Sequence, residues 1–170
     1  SKFAAYSIYM QLYPENALQQ LEFDKIISIL SNSCQSPIGK EMVDEMRIHT
    51  HPKYIQTALS QTQEYKFIKS ANQYFPSDFV VDIRKDLKLL GIPGAQLTGE
   101  QWLLVRKLAD HIQQVFRWFD AERKDSYANL YLVLEGTYYE KQIIDSIDAI
   151  IDERGNVKDN ASPDLQKIRM

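Results

Sequence analysis

A chain of 170 residues is long enough to bury a core as one domain, or as one domain with an appendage. Its 44% hydrophobic and 25% charged residues are globular proportions and argue against disorder. A net charge of −3 argues against a domain that grips a nucleic-acid backbone by itself, because phosphate binding rests on a surplus of Lys and Arg.

Cys34 is the sole cysteine, so neither an internal disulfide nor a thiolate metal site is available. A reducing, cytoplasmic home is consistent with that usage. No stretch approaches the ~20 apolar residues that a membrane span needs, so no membrane partner is expected. The opening SKFAAYSIYMQLYPEN lacks a basic segment followed by a continuous apolar core and does not read as a secretory signal. Residues 1–17 are expected to form an irregular lead-in.

Helical periodicity dominates the rest. In LEFDKIISILSNSC, the residues Phe23, Ile26, Ile27, Leu30 and Cys34 recur at helical spacing and share one face. Cys34 then reads as a small buried hydrophobe. Ser36-Pro37 supplies an N-cap and a first helical residue for a second helix carrying Ile38, Met42, Val43 and Met46. Gly39 inside that helix points to another backbone packed closely against it. A third helix is expected over PKYIQTALSQTQEYKFIK, with Tyr54, Ala58, Tyr65 and Ile68 on one stripe.

ANQYFPSD breaks the pattern, and FVVDIRKDLKLL resumes a helix with Ile83, Leu87 and Leu90 aligned. GIPGAQL is a turn or irregular link. The strongest helix begins at Thr98, where Thr98 and Gln101 have capping-box spacing. Leu104, Leu108, Ile112, Val115 and Phe119 form its expected buried stripe. DAERKDSYAN is polar and ends it, and LYLVLEG is too short to assign to helix or strand. YYEKQIIDSIDAII is an amphipathic helix with Ile143, Ile147 and Ile150 inward. In IDERGNVKD, Gly155-Asn156 between Ile151 and Val157 is turn chemistry flanked by strand-forming residues, and a small β-hairpin is expected. Ser162-Pro163 then opens a further helix.

Candidate chemistry is sparse. His49 and His51 could chelate a metal from an extended segment, but no third ligand cluster accompanies them. His111 reads as a boundary or surface histidine. Asp152, Asp159 and Asp164 do not follow the order of a calcium loop. Neither G-x-x-x-x-G-K-S/T nor G-x-G-x-x-G occurs. The basic clusters Arg84, Lys85, Lys88 and Arg106, Lys107 are interleaved with Asp82, Asp86 and Asp110, as on solvated helix faces. Trp102, Phe116, Trp118 and Phe119 suit core or interface packing better than base stacking. No catalytic, cofactor-binding, metal-binding or DNA-binding residue is therefore assigned.

Three segments, in order, carry a resemblance: LEFDKIISILSNSCQSPIGKEMVDEM, then IRKDLKLL, then IDERGNVKDNASPDLQKIR. Together they resemble the N-terminal core region of MutS-related proteins, in particular the second bacterial MutS subfamily, the branch associated with suppression of recombination. The likeness covers about Leu21 to Met170. SPIGKE is similar to an S/T-P-x-G-K/R helix start in that core. The ID-x-x-G-x-V-x-D-x-A-S-x-x-L-x-x-I-R pattern is its most specific element.

The resemblance implies a mostly α fold: a bundle-like helical core over residues 18–150, a small hairpin over 151–160, and the start of a long lever helix over 161–170. It implies that the chain is the core piece of a longer bacterial, cytoplasmic protein. That parent would carry a clamp and an ATPase using ATP and magnesium, with a nuclease-like domain in many members. It would act as a homodimer on branched or mismatched DNA in recombination control and repair, with the ribosome as a further partner. The chain itself would be non-catalytic, would hold no cofactor and would bind nucleic acid weakly. The alternative is a self-contained interaction module that docks a protein through the aromatic helix from Trp102 to Phe119.

Overall fold

The structure, a computed structural model, describes residues 13–169. It is mostly α-helical, as expected. The chain divides into two compact units, Ser1–Ala58 and Leu59–Met170. The expected lead-in over residues 1–17 lies largely outside the described residues; from position 13 a turn leads into α1 (Ala17–Gln20).

In the first unit, α2 (Phe23–Ser33) packs against α3 (Pro37–Asp44). The Ser36 hydroxyl accepts from the Gly39 N–H at 3.0 Å, and Pro37 occupies the first turn where its missing N–H costs nothing. None of the described residues of this unit is buried, and Ile26, Ile29 and Met42 remain at least half exposed. Cys34 departs from its expected place. It ends α2 as the C-cap, only half-buried, with its Sγ–H directed to the Leu30 carbonyl at 3.3 Å. The close neighbours of Gly39 are not a backbone either. A Cβ there would meet the Ser36 hydroxyl at 3.1 Å and the Cys34 side chain at 3.6 Å, so the cap itself crowds the position.

Helix α4 (Pro52–Ser70) matches its expected span, and the division between the units falls inside it. It ends in a Schellman motif. Asn72 adopts a left-handed φ of 51°, the Gln73 N–H reaches the Ile68 carbonyl at 3.0 Å, and the Asn72 N–H reaches that of Lys69 at 3.2 Å.

The second unit continues with α5 (Arg84–Leu90) and α6 (Gly99–Trp118). Helix α5 is shorter than the periodicity of FVVDIRKDLKLL suggests. The β-branched Val80 and Val81 precede it, and the Asp82 carboxylate accepts from the Arg84 N–H at 3.0 Å, which starts the helix there. At the head of α6 the capping box is complete: Thr98 Oγ1 accepts from the Gln101 N–H at 3.3 Å, and Gln101 Oε1 accepts from the Thr98 N–H at 2.8 Å.

The polar stretch after α6 is itself helical, as α7 (Ala121–Ser126). Asp120 caps it by accepting from the Arg123 N–H at 2.9 Å, a local bond that outweighs the lack of an apolar face. The ambiguous LYLVLEG segment resolves as helix: α8 (Ala128–Tyr131) runs into a 3₁₀ turn at Leu132–Leu134. Helices α9 (Lys141–Ile150) and α10 (Pro163–Arg169) complete the chain, with Ser162 Oγ accepting from the Leu165 N–H at 3.1 Å at the start of α10.

The core of this unit is aromatic. Ile68, Trp118, Phe119 and Tyr127 are buried together, with Phe75, Val115 and Tyr131 packed around them. Phe75 and Trp118 meet edge to face at 4.9 Å, as do Trp118 and Phe119. The polar handles are satisfied: the Trp118 Nε1–H donates to the Tyr74 carbonyl at 2.6 Å and the Tyr127 hydroxyl to Gln73 Oε1 at 3.1 Å. Full burial of Ile68 contributes about 2–3 kcal/mol. Glu64 on α4 fastens α8 to this core. Its carboxylate accepts from the Asn129 N–H and side-chain amide and from the Leu130 N–H, satisfying donors at the start of α8.

Two expected stripes differ. On α6, Leu108 and Val115 are half-buried and Phe119, which caps its end, is buried, but Leu104 and Ile112 are exposed. On α9, Ile147 is buried while Ile143 and Ile150 stay 43% and 47% exposed. On α6 the two exposed residues edge the stripe on either side of the packed ones, and on α9 they lie together to one side of Ile147.

The expected hairpin is reduced to a single antiparallel bridge between Ile151 and Val157. The reason is local. Asp152 gathers the backbone of residues 154–156 into a turn, and the Ala161 N–H bonds back to the Lys158 carbonyl at 3.0 Å, so neither arm extends into a strand.

Candidate coupling site

A polar and steric arrangement joins α6, α9 and the turn that precedes α10. Arg106 on α6 donates through Nε and Nη2 to the two carboxylate oxygens of Asp148 on α9, the latter bond at 2.8 Å. This two-point geometry suits the guanidinium fork. The hydrogen bonds from Arg106 hold the Asp148 carboxyl below its usual range, against a partial loss of hydration, and Lys158 adds a smaller Coulombic pull. In return the Asp148 carboxylate raises the Arg106 pKa. The Lys158 ammonium also donates to the Asp148 backbone carbonyl. One residue on α9 therefore receives a cation from α6 and another from beyond the turn.

The turn itself is organised by Asp152. Its Oδ1 accepts from the Arg154 and Asn156 N–H groups, each at 2.8 Å, and its Oδ2 from the Asn156 side-chain amide at 3.3 Å. These bonds, the Asn156 N–H foremost, lower the Asp152 pKa. Gly155 has φ of +83°, which side chains disfavour. Its peptide lies directly on the first residue of α6. A Cβ on Gly99 would overlap the Gly155 carbonyl oxygen, and a Cβ on Gly155 would stand 3.1 Å from the Gly99 carbonyl carbon.

Beside this contact lie two apolar grooves of about 470 Å³ and 310 Å³. Both are walled by Trp102, Ile150 and Ile151; Ile143 and Ile147 line the larger, and Leu90 and Leu97 the smaller.

The residues weighed in the sequence fall elsewhere for the most part. His49 and His51 are exposed, and the His49 ring lies 4.2 Å from that of Tyr54. No group of three or more His, Cys, Asp or Glu side chains suited to a metal occurs among the described residues. His111 is half-buried with its ring 5.9 Å from Phe79. Of the three aspartates, Asp152 builds the turn, Asp159 is exposed, and Asp164 pairs with Lys167 at 3.7 Å. Arg84 pairs with Asp82 at 2.6 Å, a bond that holds the Asp82 pKa down at about 2. Lys85, Lys88 and Lys107 are exposed. Phe116 stacks obliquely on Tyr139 at 5.4 Å, while Trp118 and Phe119 belong to the core. No described helix is long and apolar enough to cross a membrane.

Sequence reasoning missed Gly99, Asp148, Lys158 and Glu64. The glycine at 99 follows an N-cap threonine, a position where glycine is unremarkable, so its reason emerges only when Gly155 folds onto it.

No family model matches the chain, and no solved structure matches it. Curated relatives do. The protein named Endonuclease MutS2 from Alkaliphilus oremlandii is 27% identical over 156 residues, covering 91% of this chain and 20% of its own length. That from Halothermothrix orenii is 26% identical over 161 residues, with the same coverage. That from Aquifex aeolicus is 27% identical over 157 residues, again at 91% and 20%. The chain spans about one fifth of the length of these relatives. With some 90% of its residues aligned at about 25–27% identity, the chain is related to the second MutS subfamily, MutS2.

Proposed function

We propose that this chain is the non-catalytic core of a MutS-family DNA-binding ATPase and relays the state of the ATPase to a DNA-gripping clamp. The observation that carries this reading is the asymmetry of coverage: nine tenths of this chain aligns with one fifth of each MutS2 relative. The 170 residues contain no phosphate-binding loop pattern, so nucleotide, magnesium and any endonuclease activity belong to the parent protein's other regions. No catalytic step is assigned to these side chains.

In this reading α10, capped by Ser162, is the beginning of the lever helix. The parent acts on branched or mismatched DNA as a homodimer in recombination control and repair, with the ribosome as a further partner, in the bacterial cytoplasm. A net charge of −3 supports weak DNA affinity for the core alone.

Binding of a fluorescently labelled four-way junction, measured at fixed salt, tests the division of labour. The parent protein should bind the junction and hydrolyse ATP faster in its presence, whereas the 170-residue chain should do neither. Junction binding by the chain alone at the parent's affinity would overturn the reading.

A second reading, a self-contained protein-interaction module, draws on one feature. The grooves at Trp102 are apolar and the neighbouring Ile143 and Ile150 are exposed. Their filling by the parent's other regions, seen as protection of Trp102 from quenchers only in the parent, would favour the core reading.

A further inference from the structure

We propose that the Gly99–Gly155 contact is a backbone latch that registers the turn leading into α10 on the N-terminal end of α6. Two independent constraints meet there. At Gly99 the space for a Cβ is already filled by the carbonyl of Gly155. At Gly155 the left-handed φ of +83° and the nearness of the Gly99 and Glu100 backbone, at 3.1–3.3 Å from a Cβ, each disfavour a side chain. Gly94 and Gly136 show the contrast. They have comparable φ values of +82° and +74°, but nothing lies within 4 Å of a Cβ built on either. Those are turn glycines; Gly155 is a turn glycine pressed against a helix.

The latch transmits to α10 because the segment between them is bonded at short intervals. The Asp152 N–H donates to the Asn156 carbonyl at 2.8 Å and the Lys158 N–H to that of Ile150 at 2.8 Å. The Ala161 N–H then donates to the Lys158 carbonyl at 3.0 Å, and Ser162 caps α10. Lys158 is held a second time, through its ammonium, by the Asp148 carbonyl. Between Ile150 and Ser162 the chain has no long unbonded stretch to act as a hinge. The start of α6 and the turn at Gly155, which leads into α10, are thus set against each other through peptide groups, which have little freedom to adjust. The consequence for function, that a displacement of α6 is carried into α10, rests on the relay reading above.

Amide hydrogen exchange on the 170-residue chain tests the latch with no DNA or nucleotide present. In G99A the amides of Asp152 and Lys158 should exchange at least about tenfold faster than in the wild type, while those of Tyr127 and Tyr131 in the aromatic core stay protected. G155N separates the contact from the φ requirement, since asparagine tolerates left-handed φ, and G136N serves as its control. G155N should loosen Asp152 and Lys158 and G136N should not. Wild-type exchange at Asp152 and Lys158 in G99A, or in G155N should G99A unfold throughout, overturns the latch. Equal loosening by G136N and G155N overturns it as well. The relay reading stands or falls separately, on the junction-binding and ATP measurements.

Discussion

Arg106 and Asp148 meet at two points, Nε and Nη2 against both carboxylate oxygens, and so tie α6 to α9 across 42 positions of sequence. The pair is part-exposed, with side-chain exposures of 36% and 42%, so solvent screening limits its worth to roughly 1 kcal/mol. D148N should lose that amount in urea unfolding at neutral pH. The pH dependence has a definite sign. The folded-state pKa of Asp148 lies below the unfolded value, so its contribution is complete above the unfolded pKa and is lost as pH falls through the folded one. The stability gap between wild type and D148N should therefore be constant near neutrality and close as pH drops below about 4. A gap that widens with acid would contradict the pairing.

Among the described residues, Ile68 is the one large side chain with no exposed surface, enclosed by the aromatic cluster. Truncation to alanine leaves a cavity walled by rigid rings that collapse poorly. I68A should lose about 3–5 kcal/mol, measured from the shift of the urea midpoint at unchanged m-value. A loss below about 1 kcal/mol would mean that the cluster is not the stabilising core of this unit.

Glu64 receives three hydrogen bonds from the start of α8, 65 and 66 positions away. E64A leaves half-buried N–H groups without an acceptor and should cost about 1–3 kcal/mol. The conservative E64Q keeps acceptor capacity on one atom only and should fall between. Thermal unfolding followed by far-UV circular dichroism distinguishes the three proteins, and equal stability of E64A and wild type would remove this fastening from the account.

The capping box of α6 has a smaller, local value. T98A removes one arm of the reciprocal pair and should lower stability by about 1 kcal/mol. T98S keeps the oxygen and should restore most of it. If T98A and T98S were equally destabilised, the threonine methyl rather than the hydroxyl would be the group that matters.

Local chemistry was legible in the sequence, and long-range chemistry was not. Thr98 with Gln101, Ser36 with Pro37, and Ser162 with Pro163 each signal a helix start within four residues, and each start is found. Pro52 and the apolar pattern after it placed α4 correctly. Burial was harder, because periodicity names a stripe but not the element that covers it. Leu104 and Ile112 belong to the α6 stripe and are exposed all the same. The helix at Ala121–Ser126 was hidden because Asp120 starts it without any apolar face. Gly99 and Gly155 are each ordinary in sequence, and their relation exists only once the turn at Asp152 has folded onto α6. The MutS likeness rested on three segments, the most specific of them around Gly155, in the turn that packs on the start of α6.

The most direct test of the central claim is to read the gene downstream of Met170. The account predicts a continuous frame that encodes a G-x-x-x-x-G-K-S/T phosphate-binding loop, which would make these 170 residues the core of a MutS-type ATPase. A stop codon at that point would contradict it and leave a free-standing helical module whose apolar grooves await a partner.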